Sequence, residues 1–254
     1  MRLIPAPERL KLLAHEHRWR ALQALSQSDL RVTELVALLE QPSNLVSYHL
    51  RLLRGHNLVR ERRSSADGRD VYYTLNLDAL RRLLAESGES LHPALGESED
   101  GDATVARLRP GLRILFLCTH NSARSQMAEG LARAMSEGKI AAFSAGTEPS
   151  RVHPLAVRAM NAERIDIRAQ RSKHLDEYLG QHFDYVITVC DRASESCPVF
   201  PGEPERIHWS IPDPSAVEGS NERRYRAFRN ALLDLRTRIR YLLILLGRST
   251  ERPS

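Results

Sequence analysis

Arg113-Ile114-Leu115-Phe116-Leu117-Cys118-Thr119-His120-Asn121-Ser122-Ala123-Arg124-Ser125-Gln126-Met127-Ala128-Glu129-Gly130 decides the fold of the larger part of this chain. Ile114 to Leu117 is a short apolar run, suited to a strand buried on both faces. Cys118 to Arg124 reads as a turn. From Ser125 onward, Met127, Ala128, Leu131, Ala132 and Met135 keep the spacing of an amphipathic helix. A cysteine therefore sits between the C-terminal end of a strand and a helix N-terminus, with an arginine six positions on. Backbone N–H groups at such a junction attract anions. The same field favours thiolate over thiol, and an unperturbed cysteine, pKa about 8.5, is only a few per cent ionised at pH 7. Arg124 has the geometry to grip two oxygens of a tetrahedral oxyanion. The loop Thr119, His120, Asn121, Ser122, Ala123, Arg124 and Ser125 is thus a candidate oxyanion cradle, with Cys118 as nucleophile.

Outward from this stretch, residues 111–247 alternate strands and helices. Ile140 to Thr147 reads as a strand running into a turn, Pro154 to Asn161 and Ser172 to Leu179 as helices, and Phe183 to Cys190 as a buried strand. Pro201 to Trp209 leads to a further short strand, and Asn221 to Leu246 reads as a long helix. This alternation is the signature of an α/β domain, a parallel sheet with helices on both faces. Active sites of such sheets lie beyond the strands' C-terminal ends, where Cys118, the Cys190 region and the loop after Trp209 collect. That loop, Ile211-Pro212-Asp213-Pro214-Ser215, holds an aspartate between prolines. Alone, Asp213 reads as a cap; beside a Cys-x5-Arg loop it reads as a positioned acid that protonates a departing oxygen.

The chain has 254 residues, enough for two domains, a formal charge of +5 and three cysteines, Cys118, Cys190 and Cys197, all in the second half. Only Lys11, Lys139 and Lys173 among the basic residues are lysines. Pro5, Pro7 and Glu8 interrupt any apolar signal core, and the longest apolar run, Tyr241 to Leu246, is far too short to span a bilayer. A cytoplasmic chain with no membrane contact is expected, its cysteines reduced and reactive or metal-binding. On their own, Cys190 and Cys197 read as a redox pair, as a buried thiol beside a surface one, or as half of a zinc site.

Cys118-Thr119-His120-Asn121-Ser122-Ala123-Arg124-Ser125 resembles the oxyanion loop of the low-molecular-weight tyrosine phosphatase fold. Within that fold, Arg124 to Gly130, the pair Val189-Cys190-Asp191 and Glu195-Ser196-Cys197-Pro198, and Asp213-Pro214-Ser215 are similar to the thioredoxin-coupled arsenate reductases. The phosphatases usually carry aromatics after the Asp-Pro. The resemblance implies a relay: Cys118 attacks arsenate, Asp213 protonates the leaving hydroxyl, Cys190 attacks Cys118, and Cys197 moves the disulfide outward for a thioredoxin-like dithiol to reduce. It implies no tightly bound cofactor and no metal, with reduced thioredoxin or a similar thiol as co-substrate. Residues 191–196 are expected to loop or unwind as the disulfide travels. Two positions depart from the pattern: Ala123 replaces a frequent cysteine, and His120 a frequent glycine. Asn121, Glu129 and Ser144 match monovalent-cation ligands of some reductases, but the remaining acidic ligand is replaced near Lys173, whose ammonium is expected to do the cation's work. A phosphatase needing only Cys118, Arg124 and Asp213 stays open as an alternative, as does a repressor whose second domain senses oxyanion or redox state.

Before this domain, residues 89–110 form an acidic, Gly- and Pro-containing linker, a flexible tether, and 248–254 form a tail. Residues 1–88 read differently. Helices are expected over His15–Gln27, with Trp19, Leu22, Ala24 and Leu25 on one stripe, and over Val32–Glu40, with Leu35, Val36, Leu38 and Leu39 inward. Gln41 to Asn44 is a turn and cap, and a third helix buries Leu45, Val46, Leu50 and Leu53. Two strands, Leu58–Arg62 and Val71–Leu75, flank a hairpin tip at Ser64–Gly68, and Leu77–Leu84 closes the module as a helix. This is a mainly α winged helix-turn-helix. Its helix after the turn presents Ser43, Asn44, Ser47, Tyr48 and Arg51 to base edges and phosphates, and Arg62, Arg63 and Arg69 lie on the wing. The run Val32 to Val59 resembles the ArsR-type repressors, which implies a homodimer through this domain on a two-fold-symmetric operator DNA. Arsenic-sensing members carry cysteines before the turn, and this module has none. His15, Glu16 and His17 are expected as exposed helix-surface residues.

Overall fold

The computed structural model describes residues 8–64, 70–91, 108–195 and 198–249. Arg69, Cys197, most of the linker and the end of the tail lie outside the described residues. The chain divides into two units, Met1–Glu99 and Asp100–Ser254.

In the first unit, α1 (Glu8–Leu13) and α2 (Glu16–Gln27) lead to a two-residue strand, β1 (Leu30–Arg31), then α3 (Val32–Leu39), α4 (Ser43–Gly55), β2 (Val59–Arg63), β3 (Val71–Leu75) and α5 (Leu77–Glu89). Glu40 ends α3 in the left-handed region, φ 54°, and its N–H donates to the Val36 carbonyl. Pro42 itself takes the N-cap position of α4, so Ser43 and Asn44 belong to the helix's first turn and not to the preceding turn. The core joins Leu22 and Leu25 of α2, Leu35 and Leu39 of α3, and Val46, Leu50 and Leu53 of α4. Trp19 and Leu38, expected on the inward stripes, are instead 54% and 56% exposed. The inward faces of these short helices are already filled by smaller aliphatic side chains.

The wing is a three-stranded antiparallel sheet in the order β1-β3-β2, with Val59 opposite Leu75 and Arg63 opposite Val71. Strand β1, too short to show a pattern in sequence, pairs Leu30 with Tyr73. Asn76 fastens wing to helix. Its Oδ1 accepts from the Ala79 N–H at 3.3 Å as the N-cap of α5, and its Nδ2 donates to the Asn57 carbonyl at 2.9 Å.

The second unit has four strands, β4 (Arg113–Cys118), β5 (Ala141–Gly146), β6 (Tyr185–Thr188) and β7 (Glu205–His208). They are all parallel, in the order β5-β4-β6-β7. The helices are α6 (Arg124–Met135), α7 (Pro154–Ala162), α8 (Asp191–Glu195) and α9 (Asn221–Ser249). Ile114, Leu115 and Phe116 are fully buried, as a central parallel strand requires. On α9, Phe228, Leu232, Leu235, Ile239, Leu242 and Leu246 form the buried stripe.

Two segments differ from expectation. Ser172–Leu179 is not an α-helix. Gly146 donates its N–H to the Lys173 carbonyl at 3.0 Å, which holds this chain extended beside β5, and only a 3-10 turn, Leu175–Tyr178, follows. The His174 ring caps that turn by accepting from the Asp176 N–H. The segment after Cys190, expected as a loop, forms the short helix α8. Among the described residues no helix is long and apolar enough to cross a membrane.

Replacing Asn76 with alanine removes the cap of α5 and leaves the Asn57 carbonyl without its side-chain donor. The first unit is expected to lose about 1–2 kcal/mol of stability, read as a lower denaturant midpoint for its unfolding.

Candidate functional site

The loop after β4 is held open by its carbonyls. Thr119 O accepts from the Glu148 N–H at 2.9 Å, His120 O from Ser150 at 3.0 Å, and Ser122 O from His153 at 2.8 Å. Asn121 O accepts from Gln126 Nε2 at 3.1 Å and Ser172 Oγ at 2.7 Å. In a trans peptide the next N–H points opposite to the carbonyl, so this outward bonding turns the loop's N–H groups inward. One of them is seen doing so: Asn121 N–H donates to Cys118 Sγ at 3.2 Å. Asn121 reaches this position with φ 44°, in the left-handed region that asparagine tolerates. Ser125 Oγ lies 2.9 Å from the same sulfur.

Arg124 opens α6 and is buried. Its Nη1 donates to the Ile211 carbonyl at 2.9 Å and its Nη2 to Asp213 Oδ2 at 3.0 Å. Asp213 does two jobs. Oδ1 caps the turn Pro214–Ala216 by accepting from the Ser215 N–H at 3.0 Å, and Oδ2 faces the guanidinium, with the side chain still 30% exposed. Nucleophile, clamp and acid are therefore brought together as the sequence implied. His120 stands on the exposed rim, its Nδ1 3.1 Å from the Glu148 carbonyl.

Cys190 arrives by register. Leu117 pairs with Thr188 across β4 and β6, so Cys190 lies one residue further along the neighbouring strand than Cys118. Thr119 Oγ1 is 3.4 Å from Cys190 Sγ, and both cysteines are free and buried. Burial pushes the Cys190 thiol up, and the charge on Cys118 adds to that rise against smaller opposing effects of Arg124 and Thr119.

Beneath the loop lies a buried polar network. Asn121 Nδ2 donates to Ser125 Oγ at 2.8 Å and to Ser144 Oγ at 2.9 Å, and its Oδ1 accepts from the Lys173 N–H at 2.8 Å. Ser144 Oγ donates to Glu129 Oε2. The Glu129 carboxylate is compensated twice, by Lys173 Nζ at 3.3 Å and by Arg133 Nη2 at 2.7 Å. A monovalent cation fits poorly here, since the Lys173 ammonium already lies against Glu129 and the Arg171 carbonyl. The outer braces at 148–153, together with Gln126 and Ser172, escaped the sequence reading. Gly146 was the available signal: a Cβ there would stand 2.5 Å from Thr119 O and 2.8 Å from Asn121 N.

On α4, Ser43, Asn44, Tyr48 and Arg51 are exposed and Ser47 is half-buried, on the side away from Val46, Leu50 and Leu53. On the wing, Arg63 is exposed, and the half-buried Arg62 donates to the Arg63 carbonyl at 2.9 Å. His15 and His17 depart from expectation. Both are half-buried, with Nδ1 withdrawn from solvent, because their rings pack on His49 of α4.

Residues 113–252 match the family model for low molecular weight phosphotyrosine protein phosphatase, and residues 15–61 match that for bacterial regulatory protein, arsR family. The chain belongs to the low molecular weight phosphotyrosine protein phosphatase family, with an arsR-family helix-turn-helix fused in front. It is 42% identical over 127 residues to an arsenate reductase of Halalkalibacterium halodurans, covering 50% of this chain and 91% of that protein. It is 37% identical, with the same coverage, to an arsenate reductase of Bacillus subtilis. A solved structure described as an arsenate reductase in oxidized state is 31% identical, covers 53% of this chain and 98% of that one, and aligns with a TM-score of 0.47.

Gly146→Ala is expected to push the loop at Thr119 and Asn121 out of place. Protection of Cys118 from alkylation by added phosphate or arsenate should be lost, while the far-ultraviolet spectrum stays that of the folded chain.

Proposed function

We propose that the Asp100–Ser254 unit is an arsenate reductase and that the unit before it is the DNA-binding part of a transcriptional regulator, both working in a reducing, cytoplasmic setting. The observation that carries the reading is the second buried thiol, Cys190, reached through Thr119 from the nucleophile Cys118. A phosphatase has no use for it; a reductase needs it.

Arsenate enters the ring of N–H groups and is gripped by Arg124. Cys118 Sγ attacks arsenic, and the hydroxyl that leaves takes a proton from Asp213 and departs as water. Cys190 thiolate then attacks Cys118 Sγ. The S–As bond breaks with its electron pair going to arsenic, arsenite leaves, and a Cys118–Cys190 disulfide forms. Two thiols are oxidised and As(V) is reduced to As(III). Cys197 attacks Cys190 in turn, Cys118 leaves as thiolate, and the Cys190–Cys197 disulfide is reduced by an external dithiol of the thioredoxin type. No tightly bound cofactor enters this scheme, and Lys173 supplies the positive charge that Glu129 requires beneath the loop. The first unit binds operator DNA as a homodimer, α4 in the major groove and the wing arginines on phosphates.

Arsenate turnover with thioredoxin, thioredoxin reductase and NADPH tests the scheme. Cys190→Ser is expected to abolish it. Cys197→Ser should allow a single turnover that halts with a Cys118–Cys190 disulfide, identified by peptide mass mapping. If Cys190→Ser retains full activity toward an aryl phosphate and the wild type shows no arsenate turnover, the module is a phosphatase instead.

The raised Cys190 thiol gives a pH signature. Its neutral form persists to higher pH than usual, and the thiolate is what attacks. Formation of the Cys118–Cys190 disulfide, followed by quenched-flow thiol trapping, should therefore keep accelerating above about pH 8.5, where an ordinary thiol is half ionised.

A further inference from the structure

The three histidines of the first unit form a cluster that neither the reductase chemistry nor the DNA-reading face uses. His15 is the N-cap residue of α2 and His17 lies in its first turn, while His49 comes from α4. Their ring centres are 4.5 Å apart for His15 and His49, 5.4 Å for His15 and His17, and 5.5 Å for His17 and His49. His49 is 4% exposed. Four ring nitrogens are buried without a hydrogen-bond partner: Nδ1 of His15, Nδ1 of His17, and both nitrogens of His49. Withdrawing that many polar atoms from water with nothing to bond them is unfavourable, and a folded protein normally resolves it with a partner.

We propose that His15, His17 and His49 form a binding site for a divalent first-row transition metal, joining α2 to the DNA-reading helix. Three imidazoles on one tetrahedral ion, each nitrogen about 2.0–2.1 Å away, hold their ring centres roughly 5 Å apart, the spacing found here. Among the described residues no three such side chains are already closed around an ion. Loading the site takes ring rotations about the side-chain torsions, with both helix backbones already in place. The donor set is all imidazole, which suits Zn²⁺, Ni²⁺ or Cu²⁺; without a thiolate it is no site for arsenite. The fourth position is left for water, or for Gln41, which lines the same cleft.

His49 sits between Tyr48 and Leu50, so an ion held on it fixes the face of α4 that carries Ser47, Tyr48 and Arg51. The site thus offers a metal signal acting within the DNA-binding unit itself, independent of the cysteines and of the arsenate chemistry.

Equilibrium dialysis of the full chain against Zn²⁺, and titration with Co²⁺ followed by absorption, test the site. One ion per chain is expected, with cobalt bands of tetrahedral intensity and no thiolate charge-transfer band. Affinity should fall at least tenfold in His15→Ala and in His17→Ala, both checked for folding by circular dichroism, and should be unchanged in Cys118→Ser. Absence of saturable binding, a thiolate charge-transfer band in the wild type, or equal affinity in folded histidine variants overturns the proposal.

Discussion

Between Cys118 and Arg124 the chain is neither strand nor helix, so its carbonyls have to find donors elsewhere. They find them on the outside: the N–H groups of Glu148, Ser150 and His153, the Gln126 amide and the Ser172 hydroxyl. That outward bonding forces the N–H groups toward Cys118 Sγ. The anion cradle is thus the reverse side of an ordinary hydrogen-bonding requirement. Its braces come from distant elements. The 148–153 segment is pinned by His153, whose ring stacks on Phe228 of α9 at 4.5 Å, and Ser172 is pinned by the extended chain along β5. The long helix α9, remote in sequence, therefore helps to set the shape of the loop.

The same economy brings in the second thiol. Parallel strands lie about 4.8 Å apart, and the pairing of Leu117 with Thr188 puts Cys118 and Cys190 at the ends of adjacent strands. No special turn is required; sheet register alone delivers the attacking sulfur to the attacked one. What holds Cys190 in place is the start of α8. The fully buried Asp191 accepts from Ser210 Oγ at 2.7 Å and lies 3.3 Å from His208 Nε2, which ties this helix to the end of β7.

Legibility in the sequence followed the range of the interactions. The strand–loop–helix around Cys118 was readable because it is local, and so was the 3.6-residue stripe of α9. The parallel sheet followed from alternation. Ser172–Leu179 was misread as a helix because its apolar spacing was real, while the deciding bond, Gly146 N–H to Lys173 O, joins residues 27 apart in sequence. Trp19 and Leu38 failed for a related reason: periodicity says which face is apolar, not whether the opposing helix has room for it. His15 and His17 read as surface residues because nothing local reveals that His49, more than thirty positions on, covers them.

The division of chemistry between the units bears on regulation. Residues 1–117 contain no cysteine, and all three thiols lie in the reductase unit. Arsenite binds thiolates, so an arsenic signal reaching the DNA has to begin at Cys118, Cys190 or Cys197 and cross the linker. It would have to do so as a difference in DNA affinity between the reduced, oxidised and arsenite-bound states, since a ligand shifts an equilibrium only by binding its two states unequally. The imidazole cluster is placed otherwise, on the very helix that reads DNA. A chain built this way separates two inputs by ligand chemistry: soft arsenic on sulfur in one unit, a borderline metal on nitrogen in the other. Operator affinity measured in the three redox and arsenic states, with Cys118→Ser as the silent control, distinguishes a coupled fusion from a tether. Identical affinity in all three would leave the reductase unit with no voice in transcription.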